Sequence, residues 1–464
     1  MNFTIISSER KKDLILYNNS KYYKKDYVKY LDAFKWQCIH KKCTAKIYVD
    51  QAVKNILKDE STHNVNHHQE TESSITKKSF SNGLKRKSED ELERPSKVIN
   101  RGILTNPELA QTLTGTDINN VYQCLYRSRR SSYPKLPTDI IEVINVISVR
   151  QIKTVQDENF ILVVDAVNKI ICFSTESNLK LLCSVDKIFV DGTFTYCPKY
   201  FLQLFTIHIF KNGHYIPLVY FLLPDKCKDT YALSFRYVVE KCSEINLLFT
   251  PSKIVSDFEE AIHIGAKTIW PEIQIVGCRF HLTQNWWKHI QSLGLSKEYK
   301  DASSEIGNWL KWVFGLPLLN PEEVTDCFTT DLMSVSPDDE RIIKFCDYLV
   351  EYYIDEDAKF NPRIWASREI TSERTKNSCE SFHSKLNSQF TKAHPNIFIF
   401  THVLNKKIQT DTYIHINGIN IEKNSKNSAF KKKQQSIKNL SNDLNDNKIS
   451  RFTYLKRVSE YYQK

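Results

Sequence analysis

The 464-residue chain has no apolar run long and pure enough to cross a bilayer, so a membrane-spanning helix is not expected. Its opening residues, MNFTIISSERKKD, lack the apolar core of a signal peptide. It has no internal repeat, which argues against a solenoid or propeller. Its 12 cysteines show no disulfide-framework spacing, and several, such as Cys172, Cys183 and Cys346, lie in apolar runs. That usage fits reduced thiols in a cytosolic or nuclear protein. What remains is ordinary for a soluble globular chain, and the length suffices for two to four domains. The net charge of +11 points modestly to a polyanionic partner, because much of the excess lies in the tails.

The most informative stretch is Lys187 to Phe210, KIFVDGTFTYCPKYFLQLFTIHIF. Aromatic and β-branched residues between short polar breaks are strand chemistry. Asp191 ends the first apolar run. A carboxylate there is costly to bury without a cation, but Asp-Gly is also a common turn dipeptide. Both readings, metal ligand and turn, stand on this stretch alone.

Residues 1–70 read as a small β-rich unit. Cys38 and Cys43 flank a short knuckle, with His63, His67 and His68 downstream. Two thiolates and two imidazoles satisfy tetrahedral Zn²⁺, which stabilises domains this small. The alternative is a cysteine pair in a hairpin beside an exposed histidine-rich loop. Phe3, Leu16, Tyr23, Trp36, Cys38 and a late histidine resemble a FLYWCH-type zinc finger, a family that binds DNA or protein. That family closes with His-x-His; here the sequence is HNVNHH, leaving the fourth ligand open between His68 and His67. Residues 71–105 are polar and charged, and are expected to be a disordered linker. Within them, Leu84-Lys85-Arg86-Lys87 reads as a nuclear localisation signal or as a solvated charge run. Residues 106–150 read as a small helical segment. Its Arg127, Arg129 and Arg130 either contact a DNA backbone or offset a helix macrodipole.

After Asp191, two further strands meet at Lys211-Asn212-Gly213-His214, a hairpin signal. A helix from Asp229, a short strand Ile254-Val255 closed by Ser256-Asp257, a helix, a strand at Ile273–Val276 and a helix from Phe280 follow. The order β-β-β-α-β-α-β-α is that of an RNase H-like fold, in which the acids on the first and fourth strands are neighbours. Asp191 and Asp257 hold those places. Close carboxylates need a divalent cation between them, and Mg²⁺ or Mn²⁺ there suits phosphodiester chemistry. Asp257 also fits a helix N-cap. A helical insert is expected at about 296–370. Beyond it Phe382, Leu386 and Phe390 form an apolar helical stripe, with Glu380, His383, Ser384 and Asn387 on a polar face. Glu380 is a third acid or an ordinary surface glutamate, with Glu259, Glu260 and Glu305 as rivals. Cys278 and His281, spaced CxxH, are half a zinc site, a buried thiol with a satisfied histidine, or part of an active-site rim.

VDGTF, IVSDFE, GCRFH and NSCESFHSKL, in that order over roughly residues 185–390, resemble the Mutator-like element (MULE) transposases. The resemblance implies an α+β fold: an RNase H-like mixed-sheet catalytic core with a helical insertion, spanning 151–410, preceded by the small β-rich zinc-binding domain. It implies Asp191, Asp257 and Glu380 as catalytic residues and ligands of Mg²⁺ or Mn²⁺, and Cys278 and His281 as a family feature near the active site that holds DNA; His383 is a further candidate for that rim. It implies a nuclear transposase that cleaves transposon ends with water and then transfers strands through the 3′-hydroxyl. The expected partners are terminal inverted repeats and target DNA, bound by a homo-oligomer, with no membrane. A domesticated zinc-finger DNA-binding regulator without catalysis is the alternative, and a nuclease of the same fold that does not integrate is a third. Residues 411–464 are expected to be a basic, largely flexible tail around Lys431–Lys433, ending in a short helix.

Overall fold

The computed structural model describes residues 3–7, 12–64, 71–90, 95–131, 133–368, 378–390, 392–417 and 428–461, with side chains except at 7, 72, 86–90, 129–131, 378–381 and 428–431. The chain forms two compact units, Met1–Leu136 and Pro137–Lys464.

The first unit opens with six strands: β1 (Thr4–Ser7), β2 (Asp13–Tyr17), β3 (Ser20–Val28), β4 (Ala33–Cys38), β5 (Lys46–Asp50) and β6 (Ile56–Glu60). They form one sheet in sequence order, every pair antiparallel. The β2–β3 turn places Asn18 and Asn19 at φ 45° and 57°, the left-handed geometry that tight hairpins require. Ile15, Tyr22, Trp36, Ile47 and Val49 form the core of this sheet.

Where the sequence reads as a disordered linker, the described residues of 71–105 are helical. They carry helices Glu72–Asp90 and Pro95–Leu104, followed by a helical turn at Pro107–Ala110 and helix Gly115–Ser131. Leu84, Val98 and Ile99 bury against Val121 and Leu125. The few apolar residues in this polar stretch fall at helical spacing. Their partners lie beyond it, so composition read segment by segment misses the core. The helical segment expected at 106–150 is also divided: its last part, helix Ile140–Ser148, belongs to the second unit.

The second unit is built on seven strands: β7 (Ile161–Asp165), β8 (Ile170–Phe173), β9 (Lys187–Thr193), β10 (Gln203–Lys211), β11 (His214–Leu223), β12 (Lys253–Ser256) and β13 (Gln274–Gly277). Their order is β13-β12-β9-β10-β11-β8-β7. The β9–β10 and β10–β11 pairs are antiparallel, whereas β12 runs parallel to both β9 and β13. From β9 onward the order and directions are those expected of an RNase H-like core; β8 and β7 widen its far edge. Asn212 and Gly213, at φ 53° and 75°, make the two-residue β10–β11 turn.

Ile188, Val190, Phe205 and Ile207 pack on one face against helices Lys228–Glu244 and Glu260–Ile269, through Tyr231, Phe235, Val238, Ile262 and Ala266. Those two helices nearly touch at Gly265. A Cβ there would stand 2.8 Å from Tyr231 Cβ and 3.0 Å from the Ala232 nitrogen.

The expected insert is helical and has its own core around Trp286, Trp309, Leu310, Phe345 and Trp365. The stretch after 411 is not a flexible tail among its described residues. Helices Ser428–Asn445 and Arg451–Glu460 place Ile437, Tyr454, Leu455 and Val458 in that same core. Tyr454 donates to the Leu318 carbonyl at 3.0 Å, and Arg451 pairs with Asp331 at 2.7 Å. The polar composition describes the outer faces of these helices, while a few apolar residues at helical spacing dock them.

Gly265→Ala is expected to destabilise the second unit by about 1–3 kcal/mol, because backbone atoms bound the space a methyl would need. A lower urea midpoint at unchanged slope checks this; an unaltered midpoint contradicts the tight crossing.

Candidate functional site

Strand alternation sets the site. Ile188 and Val190 point into the helix-covered core, so Asp191 faces the opposite side of β9, where it is 5 % exposed. Thr206 lies opposite on β10 and donates to the Asp191 carbonyl at 3.1 Å. Asp191 Oδ1 accepts the Gly192 N–H at 2.9 Å.

On the other side of β9, Val255 of β12 pairs with Phe189, and Ser256 pairs with Gly277 of β13. Continued by a residue or two, these registers bring Asp191, Asp257 and Cys278 to one level at the carboxyl ends of three adjacent parallel strands. Neighbouring strands lie about 4.8 Å apart. The Cys278 N–H donates to the Ser256 carbonyl at 2.7 Å, holding that level on the third strand. Burial pushes the Cys278 thiol up to about 11, and the Asp191 and Asp257 carboxylates add to the rise. The thiol therefore lies in the field of both acids.

Asp257 Oδ1 is buried with no hydrogen-bond partner among the described residues. Burial raises this carboxyl to about 6; the Glu259 charge adds to the shift and the Lys226 ammonium opposes it.

Helix Ser378–Ser388 covers the Asp191 face. The Phe382 ring meets His208 edge-on at 5.0 Å and lies 6.4 Å from Tyr220. Phe382, Leu386 and Phe390 are buried, as the stripe in the sequence suggests. This packing brings His383 Nδ1 to 3.6 Å from Asp191 Oδ2. Burial lowers His383 to about 4, with His281 adding to the fall, and burial also lowers His281. His383 Nε2 and His281 Nδ1 are buried without hydrogen-bond partners among the described residues. Position 380 lies in the same helix, three residues before His383, but the Glu380 side chain lies outside the described residues.

Two features behind the acids were not anticipated. Glu259 accepts from Tyr231 at 2.8 Å and pairs with Lys226 at 2.7 Å, while Gln203 donates to the Tyr231 hydroxyl at 2.6 Å. This rival for third acid is thus already neutralised, and its place just after Asp257 was the signal available. His208, fully buried, meets Thr206 Oγ1 at 2.8 Å beneath Asp191. Burial holds its imidazole down at about 3, and the His383 ring adds to that.

In the first unit, Cys38, Cys43 and His63 place their ligand atoms within 4.8 Å of one another, the one such group of three among the described residues. Cys43 Sγ is 3.1 Å from His63 Nδ1, and the Tyr22 hydroxyl is 3.3 Å from His63 Nε2. One imidazole nitrogen thus faces the thiols while a buried phenol orients the ring, the outer-shell arrangement of metal-binding histidines. The Thr44 N–H donates to Asn64 Oδ1 at 2.8 Å and ties the histidine segment to the knuckle. This donor set fits Zn²⁺. His67 and His68 lie outside the described residues, as do the Arg129 and Arg130 side chains. Arg127 is exposed on helix Gly115–Ser131.

The sheet is mixed α+β and consistent with an RNase H-like core, with acids at the ends of its first and fourth core strands. Residues 187–285 match the MULE transposase domain, so this stretch of the second unit is similar to the core of such transposases. The match runs from β9 through the first half of helix Arg279–Ser292; it contains Asp191, Asp257, Cys278 and His281 and stops before the insert and position 380. No curated protein matches the chain.

Two outcomes are expected. Full-length protein should carry about one zinc per chain, and Cys43→Ser should lose it together with the near-ultraviolet signal of the β1–β6 sheet, as zinc modules do; full zinc content in Cys43→Ser by mass spectrometry contradicts this site. At His208, the unfolded chain takes up a proton below about pH 6.5, whereas the folded form resists it down to about 3. The stability this group contributes is present above that range and is lost as pH falls through it, at up to ~1.4 kcal/mol per pH unit. The urea midpoint of His208→Gln should therefore fall less between pH 7 and pH 5 than that of the parent protein; equal falls contradict a neutral buried imidazole.

Proposed function

We propose that this chain is a DDE-type DNA transposase in which Asp191, Asp257 and Glu380 hold Mg²⁺ or Mn²⁺ against a DNA phosphodiester. The observation that carries this reading is the common level of Asp191 and Asp257 on neighbouring parallel strands, with a buried Asp257 oxygen that has no hydrogen-bond partner among the described residues. Hard oxygen donors of this kind suit Mg²⁺ or Mn²⁺, and an ionised carboxylate kept from water needs a cation. When bound, such ions lower the pKa of an attacking water or 3′-hydroxyl and stabilise the leaving oxygen.

The chain's own groups do the positioning. Thr206 fixes the Asp191 backbone. Lys226 and Tyr231 neutralise Glu259, so it does not compete for the same cation. His383 stands beside Asp191, and with His281 and Cys278 it forms a wall of uncharged groups that can approach a phosphate without repelling the acids. In-line phosphoryl transfer gains most of its rate from such placement and charge neutralisation. The Cys38, Cys43 and His63 cluster, closed by His68 or His67, is read as a FLYWCH-type finger that engages DNA, with Arg127, Arg129 and Arg130 on the phosphate backbone. The substrates are terminal inverted repeats and target DNA, handled in the nucleus by a homo-oligomer.

Duplexes bearing the ends that flank the coding sequence should be cut only with Mg²⁺ or Mn²⁺. Asp191→Ala, Asp257→Ala and Glu380→Gln should each slow cutting by roughly 10²–10³-fold while leaving DNA affinity intact. Parent-like cutting by Asp191→Ala defeats the assignment. Binding without any cutting by the parent protein leaves a DNA-binding regulator instead.

A further inference from the structure

Helix Gly115–Ser131 has an unusual solvent face. Val121, Leu125 and Ser128 are buried on its inner side, where Val121 and Leu125 meet helices Glu72–Asp90 and Pro95–Leu104. Asn119, Asn120, Gln123, Tyr126 and Arg127 are all exposed. At 3.6 residues per turn these five fall within one continuous stripe opposite the buried side. An ordinary solvated helix face carries alternating lysines and glutamates. This stripe has amides, a phenol and a guanidinium, and no carboxylate.

The one acid of the helix, Asp117, is engaged elsewhere. It accepts the Thr114 N–H at 2.9 Å and pairs with Lys77 at 2.7 Å. Adjacent asparagines are also poor helix formers, so this face is not optimised for helix stability. The neighbouring helix exposes Lys97 and Arg101, one turn apart.

We propose that the exposed face of helix Gly115–Ser131 reads base edges in the major groove of duplex DNA. Carboxamides of asparagine and glutamine offer the paired donor and acceptor that match adenine, and a guanidinium matches guanine. Asn119, Asn120 and Gln123 are the base-reading amides and Arg127 the guanine-reading group. The groove admits a helix of this diameter, and a face with no carboxylate enters it without repulsion. This goes beyond the proposed function, in which the zinc module engages DNA, and it replaces the backbone contact given there to Arg127 with a base contact. It shares with that reading DNA as the partner and does not require the acids to be catalytic.

The test uses the full-length chain without added Mg²⁺ or Mn²⁺. A preferred duplex is selected from a randomised pool, and affinities for it and for a scrambled duplex are measured at fixed salt. The double variant Asn120→Ala/Gln123→Ala should lose about tenfold or more in affinity for the selected duplex and little for the scrambled one. Lys97→Ala/Arg101→Ala removes exposed charge from the side of the neighbouring helix turned away from this stripe, and should leave the discrimination between the two duplexes as it is. Both variants change exposed positions, so an unchanged thermal midpoint shows that the fold survives. The proposal is overturned if no sequence is selected, or if the amide variant discriminates as the parent does, including the case where Cys43→Ser alone abolishes discrimination. Loss of cutting in Asp191→Ala with selection intact would leave this proposal standing.

Discussion

A carboxylate that leaves water must find a cation or give up its charge, and the second unit is arranged around that constraint. Asp191 is 5 % exposed, and Asp257 keeps an oxygen in a dry environment with no hydrogen-bond partner among the described residues. Each is placed by a strand with an apolar inner face and a polar end. Around them the chain sets groups that add no further charge: a thiol held protonated and two histidines held neutral by burial. Glu259, two residues after Asp257, is taken up by Lys226 and Tyr231. The result is two acids in a neutral surround, where a charge is felt more strongly than in water.

The parallel arrangement of β9, β12 and β13 makes this geometry robust. Parallel strands bring their carboxyl ends out on the same side of the sheet, and crevices beyond such ends are where α/β sheets bind ligands. The helix that closes over Asp191 is anchored by Phe382 on His208 and Tyr220, so the histidine beside the acid is positioned by apolar packing rather than by a loop.

Much of this was legible in the sequence where the signal is local. Asn212-Gly213 marks its hairpin, the strand order follows from alternating apolar runs and helical spacings, and Phe382, Leu386 and Phe390 announce a buried stripe. What could not be read depends on partners distant in the chain. Leu84 and Val98 looked like isolated apolar residues in a polar stretch because the residues they meet, Val121 and Leu125, come later. Ile437 and Tyr454 looked like part of a solvated tail because their sites lie among helices more than a hundred residues earlier. The common level of Asp191, Asp257 and Cys278 is a matter of inter-strand register, which no single strand encodes. The Cys38, Cys43 and His63 group was suggested by residue type, but the phenol that orients His63 sits on a strand 41 positions away.

The docking of the last two helices bears on how this polypeptide is made. Proteins emerge from the ribosome amino end first, and early domains fold before later ones are available. Here the insert, some hundred residues upstream, lacks part of its interior until Tyr454, Leu455 and Val458 have been translated. The large aromatic cluster around Trp309 and Phe314 therefore waits, partly wet, until those later residues emerge. A product cut short before those residues would carry Asp191 and Asp257 on a scaffold whose helical lobe cannot close, and its exposed rings would mark it for degradation.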